Sequence, residues 1–350
     1  MFEAKILLIG IGGCGVNIAK DINNIDMLLI NTDVQSLKTV SNKKNIKLYQ
    51  LGENGLGTGM RPEYAFKLIN EKKTQEEIKD IIANYDLLII VNGLGGGTGS
   101  GVTPEILKIA NELNKLTITI SIFPFKFEGK KRNEIANTAF EKIKKLSNLY
   151  IRISNDNMLK YINETNNIKL SFRNSFEEIN KVINKMIQGL LGVIKESSNI
   201  GDINIDFNDL RTVLEHKGKG IIGVGKGKNV FEAFSNAINK NILDYNELQN
   251  VKGIIINFIT NENYPLEEIT TFMEKEIYKY INEETDVIFG TTTKDIDYVE
   301  IIIIASLNNE VKIKKNKKEI FKFFNKEYNS YQNYDIEELD LPSFLRIRKI

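Results

Sequence analysis

Short apolar runs alternate with helical patterns over the first 150 residues of the chain. Runs rich in β-branched residues predict strands, and stretches with apolar positions three or four apart predict the helices between them. Pro62 and Pro104 suit the first turns of helices predicted over 61–82 and 104–115. This alternation predicts an α/β domain with a mostly parallel sheet and helices on both faces. The predicted strands are Lys5–Ile9, Met27–Ile30, Ile46–Tyr49, Leu87–Val91, Thr117–Ile122 and Leu149–Ile153.

A broad apolar stripe at helical spacing runs from Phe172 to Ile194. So much apolar surface predicts a long helix over 171–195 that lies between two domains. A second domain is predicted from helices near 230–241 and 266–283 and from strands at 220–224, 254–259, 287–290 and 300–305. The predicted organisation is a Rossmann-like parallel-sheet domain over 1–170, a central helix over 171–200, a second α/β (α+β) domain over 201–310, a linker or helix over 311–339 and a tail over 340–350.

The composition narrows the classes of function. With 350 residues, 42% apolar and 27% charged, the chain has the size of roughly two domains and an ordinary globular composition. A net charge of +1 and no apolar run of about 18 residues predict no nucleic-acid partner and no direct membrane insertion. The first residues lead straight into a strand, which predicts a cytoplasmic protein without a signal peptide. The single cysteine, Cys14, excludes an internal disulfide, and a histidine-based zinc site or triad would rest on His216 alone.

Residues 93–101 form a loop that is nearly all glycine and follows the apolar run 87–91 directly. Glycine lets the backbone approach a ligand closely, and successive N–H groups in such a loop form a concave nest for phosphate oxygens. Thr98 and Ser100 add hydroxyl donors, and the N-terminus of the following helix favours an anion. A flexible linker would not lie between a buried strand and an amphipathic helix, so the segment predicts phosphate binding.

A second glycine-rich segment, Gly10–Gly15, follows the first strand and opens a helix. Its spacing also fits the dinucleotide fingerprint, with Asp33 18 residues beyond Gly15, so an NAD(P)-dependent dehydrogenase is an alternative. A dinucleotide-binding Rossmann unit does not need the other glycine-rich loop, at 93–101. The presence of that loop therefore favours a different class of nucleotide. Segment 220–226 is one position short of a Walker loop, and Gly227 stands where Ser or Thr must hold magnesium. We interpret it as a chance match on a strand and turn.

Two short polar segments carry charge without a specific signal of their own. Asn204–Arg211 places Asp206 and Asp209 three positions apart, so on a helix N-terminus the two carboxylates would share a face. Such a segment by itself is more typical of a helix cap, where Asp and Asn are common. Residues 125–132 by themselves indicate only a charged loop after a strand.

Together and in this order, the segments resemble the FtsZ proteins, the tubulin-like GTPases of bacterial cell division. Gly95–Gly101 is similar to the signature loop of the tubulin/FtsZ family, a highly specific motif. Pro124–Arg132, Asn204–Arg211 and the tail Asp340–Arg346 favour FtsZ over tubulin and over its archaeal and plasmid-segregation relatives. The resemblance covers nearly the whole chain. It implies the tubulin/FtsZ fold and a cytoplasmic protein that assembles at the division site under the membrane.

The resemblance implies a site for GTP or GDP, with Mg²⁺ held mainly by phosphates and water rather than by protein ligands. It implies that Asn155 and Asn180 hydrogen-bond guanine and that Phe176 packs against it. Glu128 and Arg132 would contact the ribose and phosphate side. The other implied residues lie in loops around the phosphates and the sugar: Gly12, Gly13, Cys14, Gly15, Val16, Asn17, Ile18, Asn31, Thr32, Asp33, Gly57, Thr58, Gly59, Gly95, Gly96, Gly97, Thr98, Gly99 and Ser100.

The resemblance also implies that catalysis is shared between copies. Asn204, Asp206 and Asp209 match the loop that FtsZ inserts into the neighbouring subunit's nucleotide site. One subunit would bind GTP and Mg²⁺, and the next would supply acids that orient or activate water. A head-to-tail contact of this kind that does not close produces a filament, here implied to form the cytokinetic ring. The tail residues implied to bind FtsA-like, ZipA-like or SepF-like tether and regulatory proteins are Asp340, Leu341, Pro342, Phe344, Leu345 and Arg346.

The chain departs from the FtsZ pattern at three places. Cys14 stands where glycine is usual, so we expect a narrower nest position and sensitivity to oxidation. The stretch 157–174 is a few residues longer than typical. The segment between the core and the tail is short, and residues 312–326 hold seven lysines. A specialised inactive paralogue that acts as a scaffold is therefore a second alternative.

Overall fold

A ten-stranded sheet organises the part of the chain that the computed structural model describes, which is residues 4–41, 43–166, 170–195, 202–238, 250–278 and 281–308. Its inner strands are continuous apolar runs that are buried on both faces, as is usual in parallel sheets. All the strands predicted from the apolar runs are present, which confirms the α/β class. The strands are β1 (Ile6–Ile11), β2 (Asp26–Asn31), β3 (Ile46–Gln50), β4 (Leu87–Gly93), β5 (Leu116–Phe123), β6 (Leu149–Ser154), β7 (Gly218–Gly227), β8 (Val251–Thr260), β9 (Asp286–Thr293) and β10 (Val299–Leu307).

The sheet consists of a parallel half and a mixed half. The strands pair in the order β3-β2-β1-β4-β5-β6-β7-β10-β8-β9, and the first six are all parallel. β6 and β7 pair over two positions only, Leu149 with Gly218 and Tyr150 with Lys219. β10 is antiparallel to both β7 and β8, whereas β8 and β9 are parallel. The carboxyl ends of β1, β4, β5 and β6 therefore meet at one edge, where ligands of such sheets bind.

Helices cover both faces of the sheet. None of the helices in the described ranges combines the length and the apolar character that crossing a membrane requires. A short 3₁₀ turn, Lys126–Glu128, follows β5. The α-helices are α1 (Gly12–Ala19), α2 (Val34–Lys38), α3 (Pro62–Ile69), α4 (Lys72–Ile82), α5 (Gly97–Glu112), α6 (Lys130–Leu146), α7 (Asn155–Asn166), α8 (Phe172–Lys195), α9 (Phe207–Glu215), α10 (Val230–Ala237) and α11 (Leu266–Phe272).

Two helices of the parallel half differ from the prediction. The stretch 61–82 is two helices, because Asn70 ends α3 and its side-chain amide donates to the Phe66 carbonyl at 2.8 Å. Pro62 does occupy the first turn of α3. The prediction for Pro104 is wrong, because α5 begins at Gly97 and Pro104 lies in its interior. Glycine is a poor helix former, so the glycine-rich start of α5 shows no helical pattern in the sequence.

The second half shows shorter helices than predicted. α10 ends at Ala237, and Ile238 leaves the helical conformation with φ −100° and ψ 59°. The helix predicted over 266–283 ends as an α-helix at Phe272 and continues as a π-helical turn over Met273–Ile277. The predicted linker over 311–339 and the tail over 340–350 lie outside the described residues, so both stay predictions, as do the domain boundaries.

The predicted long helix, α8, packs against both halves of the sheet. One apolar cluster joins Ile183 of α8 to Ile120 of β5 and to Ile302 of β10, each of them buried. Full burial of such a side chain contributes about 1.5–3 kcal/mol. Asn184 on the same helix donates to the carbonyl of Ile18 at 3.2 Å and thereby ties α8 to α1. The helix is therefore attached both to the core of the sheet and to α1, the helix whose first turn is glycine-rich.

Candidate functional site

A cleft of about 420 Å³ opens where the chain leaves β1, β4, β5 and β6. It brings together thirteen of the predicted nucleotide-site residues from four loops and α8. Four further residues line it that were not singled out as site residues: Gly93 and Leu94, which begin the predicted phosphate-binding segment 93–101, and Ile122 and Pro124. These residues lie at or next to the ends of β4 and β5. Their position at a strand end close to a glycine loop is the sequence signal that could have identified them. The predicted residues in the lining are Gly12, Gly13, Cys14, Asn17, Gly96, Gly97, Thr98, Gly99, Glu128, Arg132, Asn155, Phe176 and Asn180.

Two glycines in the first turn of α5 leave no space for a side chain. A Cβ on Gly97 would lie 1.7 Å from Thr58 Oγ1, and one on Gly99 would lie 2.1 Å from the Gly93 carbonyl oxygen. Gly96 precedes the helix without any side-chain cap, so the first N–H groups of α5 lack a side-chain acceptor. Because these glycines line the cleft, the N-terminus of α5 presents backbone donors and a partial positive charge to it.

The chain passes directly from β1 into α1, and the glycine-rich first turn of α1 lines the same cleft. Gly12 has φ +73°, and a Cβ there would lie 3.2 Å from the Gly99 nitrogen, so the two glycine loops touch. Val16 and Ile18 are fully buried in the core beneath, and Gly15 packs against β4. A ligand in the cleft could therefore meet this turn of α1 through its main chain but not through those side chains.

A third loop braces the glycines from outside the cleft lining. Gly57 N–H donates to the Thr32 carbonyl at 3.1 Å, and the hydroxyls of Thr32 and Thr98 share a 2.7 Å hydrogen bond. Thr58 is buried against Gly97. The hydroxyl of Ser100 accepts the N–H of Gly95 at 3.0 Å, which closes the glycine loop on itself. Residues 57–58 and Ser100 thus contact or close the phosphate loop, although they do not line the cleft.

Glu128 and Arg132 form an ion pair at one side of the cleft. Glu128 Oε1 also accepts the N–H of Phe125 at 2.8 Å, which anchors the pair to the loop after β5. Arg132 Nε is buried and has no partner within the described protein. Buried donors of this kind are normally satisfied, so the guanidinium is a fitting partner for an anionic or polar ligand.

A further part of the cleft lining, next to Phe125, is suited to a flat, polar ring. Phe176 and Asn180 lie one turn apart on α8, and the Phe176 ring meets that of Phe125 edge to face, with centroids 5.2 Å apart. Phe125 in turn stacks on the exposed ring of Phe127 at 5.0 Å. Asn155 is 5% exposed, and its Oδ1 has no hydrogen-bond partner within the described protein. An orphaned amide oxygen beside an aromatic wall fits a base with N–H donors.

Cys14 lies against Gly93 at the base of the cleft. Burial, with a smaller contribution from the charge of Glu128, raises the pKa of the Cys14 thiol from 9.0 to about 12. The thiolate is the reactive form of cysteine, and a thiol with this pKa forms very little of it near neutral pH. The environment therefore works against the oxidation sensitivity that the sequence led us to expect.

The predicted catalytic residues lie at the start of α9 and do not line the cleft of their own copy. Asp206 Oδ1 accepts the N–H groups of Asn208 and Asp209 at 2.7 and 2.9 Å, and Asp209 Oδ2 accepts the N–H of Asp206 at 2.8 Å. The helix-cap interpretation is therefore confirmed. Asn204 and Asp206 are exposed and Asp209 is half-buried, so the segment is also accessible to another molecule.

Other sequence candidates lie elsewhere. Segment 220–226 belongs to β7, in agreement with a chance match on a strand. His216 ends α9, and its Nε2 lies 2.7 Å from Asp286 Oδ2 at the start of β9. Across the described ranges, no group of three or more His, Cys, Asp or Glu side chains is placed to hold a metal ion.

Comparisons with known proteins identify the family. Residues 5–163 match the profile of the Tubulin/FtsZ family, GTPase domain, and residues 218–311 match that of the FtsZ family, C-terminal domain. The cell division protein FtsZ of Aquifex aeolicus (strain VF5) is 32% identical over 360 aligned residues, covering 99% of this chain and 95% of that protein. The chain belongs to the FtsZ family. FtsZ of Helicobacter pylori (strain ATCC 700392 / 26695) is 33% identical over 318 residues, covering 87% of this chain and 79% of that protein.

Solved structures agree with this assignment. The empty FtsZ dimer of M. jannaschii has a TM-score of 0.75 at 27% identity, covering 87% of this chain and 88% of that one. The GDP-bound monomer of CetZ1 from Haloferax volcanii has a TM-score of 0.71 at 18% identity, which shows a shared fold. The expected fold and family are confirmed. As a member of this GTPase family the chain binds GTP and GDP, and the dehydrogenase alternative is not favoured.

Proposed function

We propose that the chain hydrolyses GTP between copies of itself in a head-to-tail filament, and that this filament forms the cytokinetic ring in bacterial cell division. The observation that carries the proposal is that Asp206 and Asp209 do not line the nucleotide cleft of their own copy. Of the residues that line the cleft, Glu128 alone carries a carboxylate, and it is paired with Arg132. A carboxylate that activates water must therefore come from elsewhere, and the exposed Asp206 and the half-buried Asp209 of a neighbouring copy can supply it.

The glycine loops would bind the phosphates. Backbone N–H groups in Gly12–Asn17 and Gly96–Ser100 would surround the phosphates, with the N-termini of α1 and α5 adding favourable partial charge. Gly95 would support this loop through its hydrogen bond to Ser100. Thr98 supplies a hydroxyl whose orientation is fixed by Thr32. Gly57 and Thr58 would lie beside the outermost phosphate, since Thr58 abuts Gly97.

Asn155, Phe176 and Asn180 would select guanine. The unpartnered Oδ1 of Asn155 can accept from the base, and Asn180 offers a second amide one turn from the ring of Phe176. Phe176 would pack against the face of the base. Arg132, with its unpartnered Nε, would contact the ribose and phosphate side together with Glu128.

Mg²⁺ would accompany the nucleotide and neutralise charge that develops on its phosphates. Its oxygen ligands would be phosphate groups and water, in keeping with the preference of Mg²⁺ for retaining water. We further propose that the protein works at the division site under the membrane and that residues 340–346 bind FtsA-like, ZipA-like or SepF-like proteins. An apolar segment with a rigid proline, Leu341 to Leu345, suits a groove on such a partner.

Exposed apolar side chains lie near both proposed contact regions. Leu56, next to the cleft-bracing Gly57, is 89% exposed, and Phe127 on the loop after β5 is 65% exposed. Ile203, beside the acidic pair, is 41% exposed. Lone exposed apolar residues are common, but these flank the two sites that a head-to-tail contact must join. We propose that they are buried between successive copies in the filament.

The test is GTP hydrolysis and sedimentation measured together across a protein dilution series with Mg²⁺. We expect turnover per subunit to rise from near zero at the same concentration at which protein begins to pellet, because each site is completed by a neighbour. Turnover per subunit that does not depend on concentration would contradict the shared site. Pelleting without turnover would favour the inactive scaffold.

A further inference from the structure

The segment that leads into the acidic pair lies along the edge strand β9. Ile203 N–H donates to Thr291 Oγ1 at 2.8 Å, and Thr291 N–H donates to the Ile203 carbonyl at 2.9 Å. β9 is the last strand of the sheet, so its outer edge can accept such an addition. The loop before α9 is thereby attached to regular structure through its own backbone.

A carboxylate fixes the start of this loop. Asp202 Oδ2 accepts the N–H of Thr293 at 3.0 Å, and Asp202 Oδ1 accepts the Thr293 hydroxyl at 2.6 Å. Hydrogen bonds to an ionised acceptor are roughly twice as strong as neutral ones, and two of them on one residue also fix orientation. Both residues are half-buried, which limits competition from water.

Residues 203–205 of the loop also pack closely against Gly290 of β9. A Cβ on Gly290 would lie 2.6 Å from Ile205 Cδ1 and 2.9 Å from the Ile203 carbonyl oxygen. Ile205 itself packs on the main apolar cluster. Asp202 therefore holds one end of the loop and the Asp206–Asp209 cap holds the other, while Ile205 anchors the middle.

We infer that Asp202 and Thr293 form a clamp that positions Asn204, Asp206 and Asp209 for their action on a neighbouring copy. The inference rests on the proposed function, since it concerns the same shared site. Neither clamp residue reaches the reacting atoms, so both are positioning residues. A loop that enters another molecule's site must hold its carboxylates in place without support from its own nucleotide cleft. Misplacement of a catalytic group by about 1 Å can cost about 100-fold in rate.

The experiment compares Thr293→Val, which removes the hydroxyl, with Thr293→Ser, which keeps it, in the full-length chain. Turnover is normalised to pelleted protein, and GTP affinity is measured separately by titration. We expect Thr293→Val to lower kcat about 10- to 100-fold, with GTP affinity and the pelleting threshold changed by less than about twofold. Thr293→Ser should retain wild-type turnover. Asp202→Ala removes both hydrogen bonds and should impair turnover at least as much as Thr293→Val. The double variant should be no worse than Asp202→Ala alone, because Asp202 takes part in both bonds.

Two results would overturn the clamp. One is unchanged turnover per pelleted subunit in both Asp202→Ala and Thr293→Val, and the other is equal impairment of Thr293→Ser and Thr293→Val. Asp209→Asn, measured in parallel, separates this failure from that of the proposed function. If Asp209→Asn loses turnover while the clamp variants keep it, the clamp inference alone is wrong. If Asp209→Asn also keeps turnover, the assignment of the acidic loop is wrong.

Discussion

The carboxylates of Asp206 and Asp209 cap one helix N-terminus reciprocally. Asp206 Oδ1 accepts the N–H of Asp209 at 2.9 Å, while Asp209 Oδ2 accepts the N–H of Asp206 at 2.8 Å. The arrangement satisfies two N–H groups that would otherwise lack partners at the start of α9. Each carboxylate uses one oxygen in the cap, which leaves its second oxygen to face another molecule. Capping and catalysis are therefore compatible roles for the same two side chains.

Substitution can separate these two roles. Asparagine caps a helix as well as aspartate does but carries no charge. The free energies of unfolding of Asp206→Asn and Asp209→Asn should therefore lie within about 0.5 kcal/mol of the wild-type value. Both should lose about 100-fold or more in GTP turnover while still binding GTP and pelleting, because a general base is lost. Asp206→Ala should also lose about 1 kcal/mol of stability. Denaturant titration and turnover on the same samples check this, and loss of GTP binding in the asparagine variants would contradict it.

Gly97 offers a test of the phosphate loop. A Cβ there would meet Thr58 Oγ1 at 1.7 Å and Thr58 Cβ at 2.7 Å, so Gly97→Ala must displace the bracing loop. We expect it to cost about 1–3 kcal/mol of stability and to abolish measurable GTP binding. Gly96→Ala is the matched control for stability, because nothing in the described protein lies within 4 Å of a Cβ there. Equal unfolding free energies for the two variants would refute the close approach of the loops.

The glycine loops also show what the sequence could and could not predict. The apolar runs identified the strands, because a parallel sheet buried on both faces requires continuous β-branched and leucine-rich segments. The start of α5 was missed, since Gly97, Gly99 and Gly101 are poor helix formers whose presence is required by contacts with Thr58, Gly93 and Pro62. Those contacts are made across the fold and leave no local pattern.

The same reasoning applies to the site. Motif spacing identified the two glycine loops that line the cleft, because phosphate loops must be continuous in sequence. Asn155, Phe176 and Asn180 were expected from the resemblance to FtsZ and not from any spacing. The bond between Thr32 and Thr98 and the contact of Asp202 with Thr293 join positions 66 and 91 residues apart. Single polar residues at such separations carry no periodic signal, so the structure alone reveals that they act together.

Asn155 should show opposite effects on stability and on binding. Its Oδ1 is buried without a partner in the described protein, which is a cost that a bound base would remove. We expect Asn155→Ala to leave the free energy of unfolding without nucleotide unchanged or slightly raised, and to weaken GTP binding about tenfold. Asn157→Ala, an exposed position on the same helix, is the control and should change neither quantity. Unchanged GTP affinity in Asn155→Ala would exclude the residue from guanine recognition.

Leu56 tests the proposed contact between copies. Because its side chain is 89% exposed, Leu56→Ser should not change the free energy of unfolding of the monomer. If the side chain is buried in the filament, its loss should raise the pelleting threshold about 10-fold or more. Leu48→Ser, on the edge strand β3 and 43% exposed, should leave the threshold unchanged. Equal thresholds for wild type and Leu56→Ser would place the contact elsewhere.

The reactivity of the Cys14 thiol should differ between the folded and the unfolded protein. Burial raises the pKa of its thiol from 9.0 to about 12, so the folded state favours the neutral thiol. Near pH 8.5 iodoacetamide should therefore alkylate the native protein about 10- to 100-fold more slowly than the unfolded chain, because the lower thiolate fraction outweighs the greater nucleophilicity of a thiolate with a higher pKa. Because Cys14 is the single cysteine, one modification per chain gives the rate directly. Equal rates for native and unfolded protein would show that the thiol is not shielded.

The same shift makes stability depend on pH in one direction. Below pH 9 the Cys14 thiol is neutral in both the folded and the unfolded state, so its titration does not lower the free energy of unfolding. As the pH rises from 9 toward 12, the unfolded chain releases the proton first, and the free energy of unfolding falls. Cys14→Ser lacks this titration and serves as the reference, since lysines and tyrosines titrate equally in both proteins. The difference in unfolding free energy between wild type and Cys14→Ser should change by about 1 kcal/mol against the wild type between pH 8.5 and pH 10. A difference that stays constant over this interval would show that the thiol titrates alike in both states.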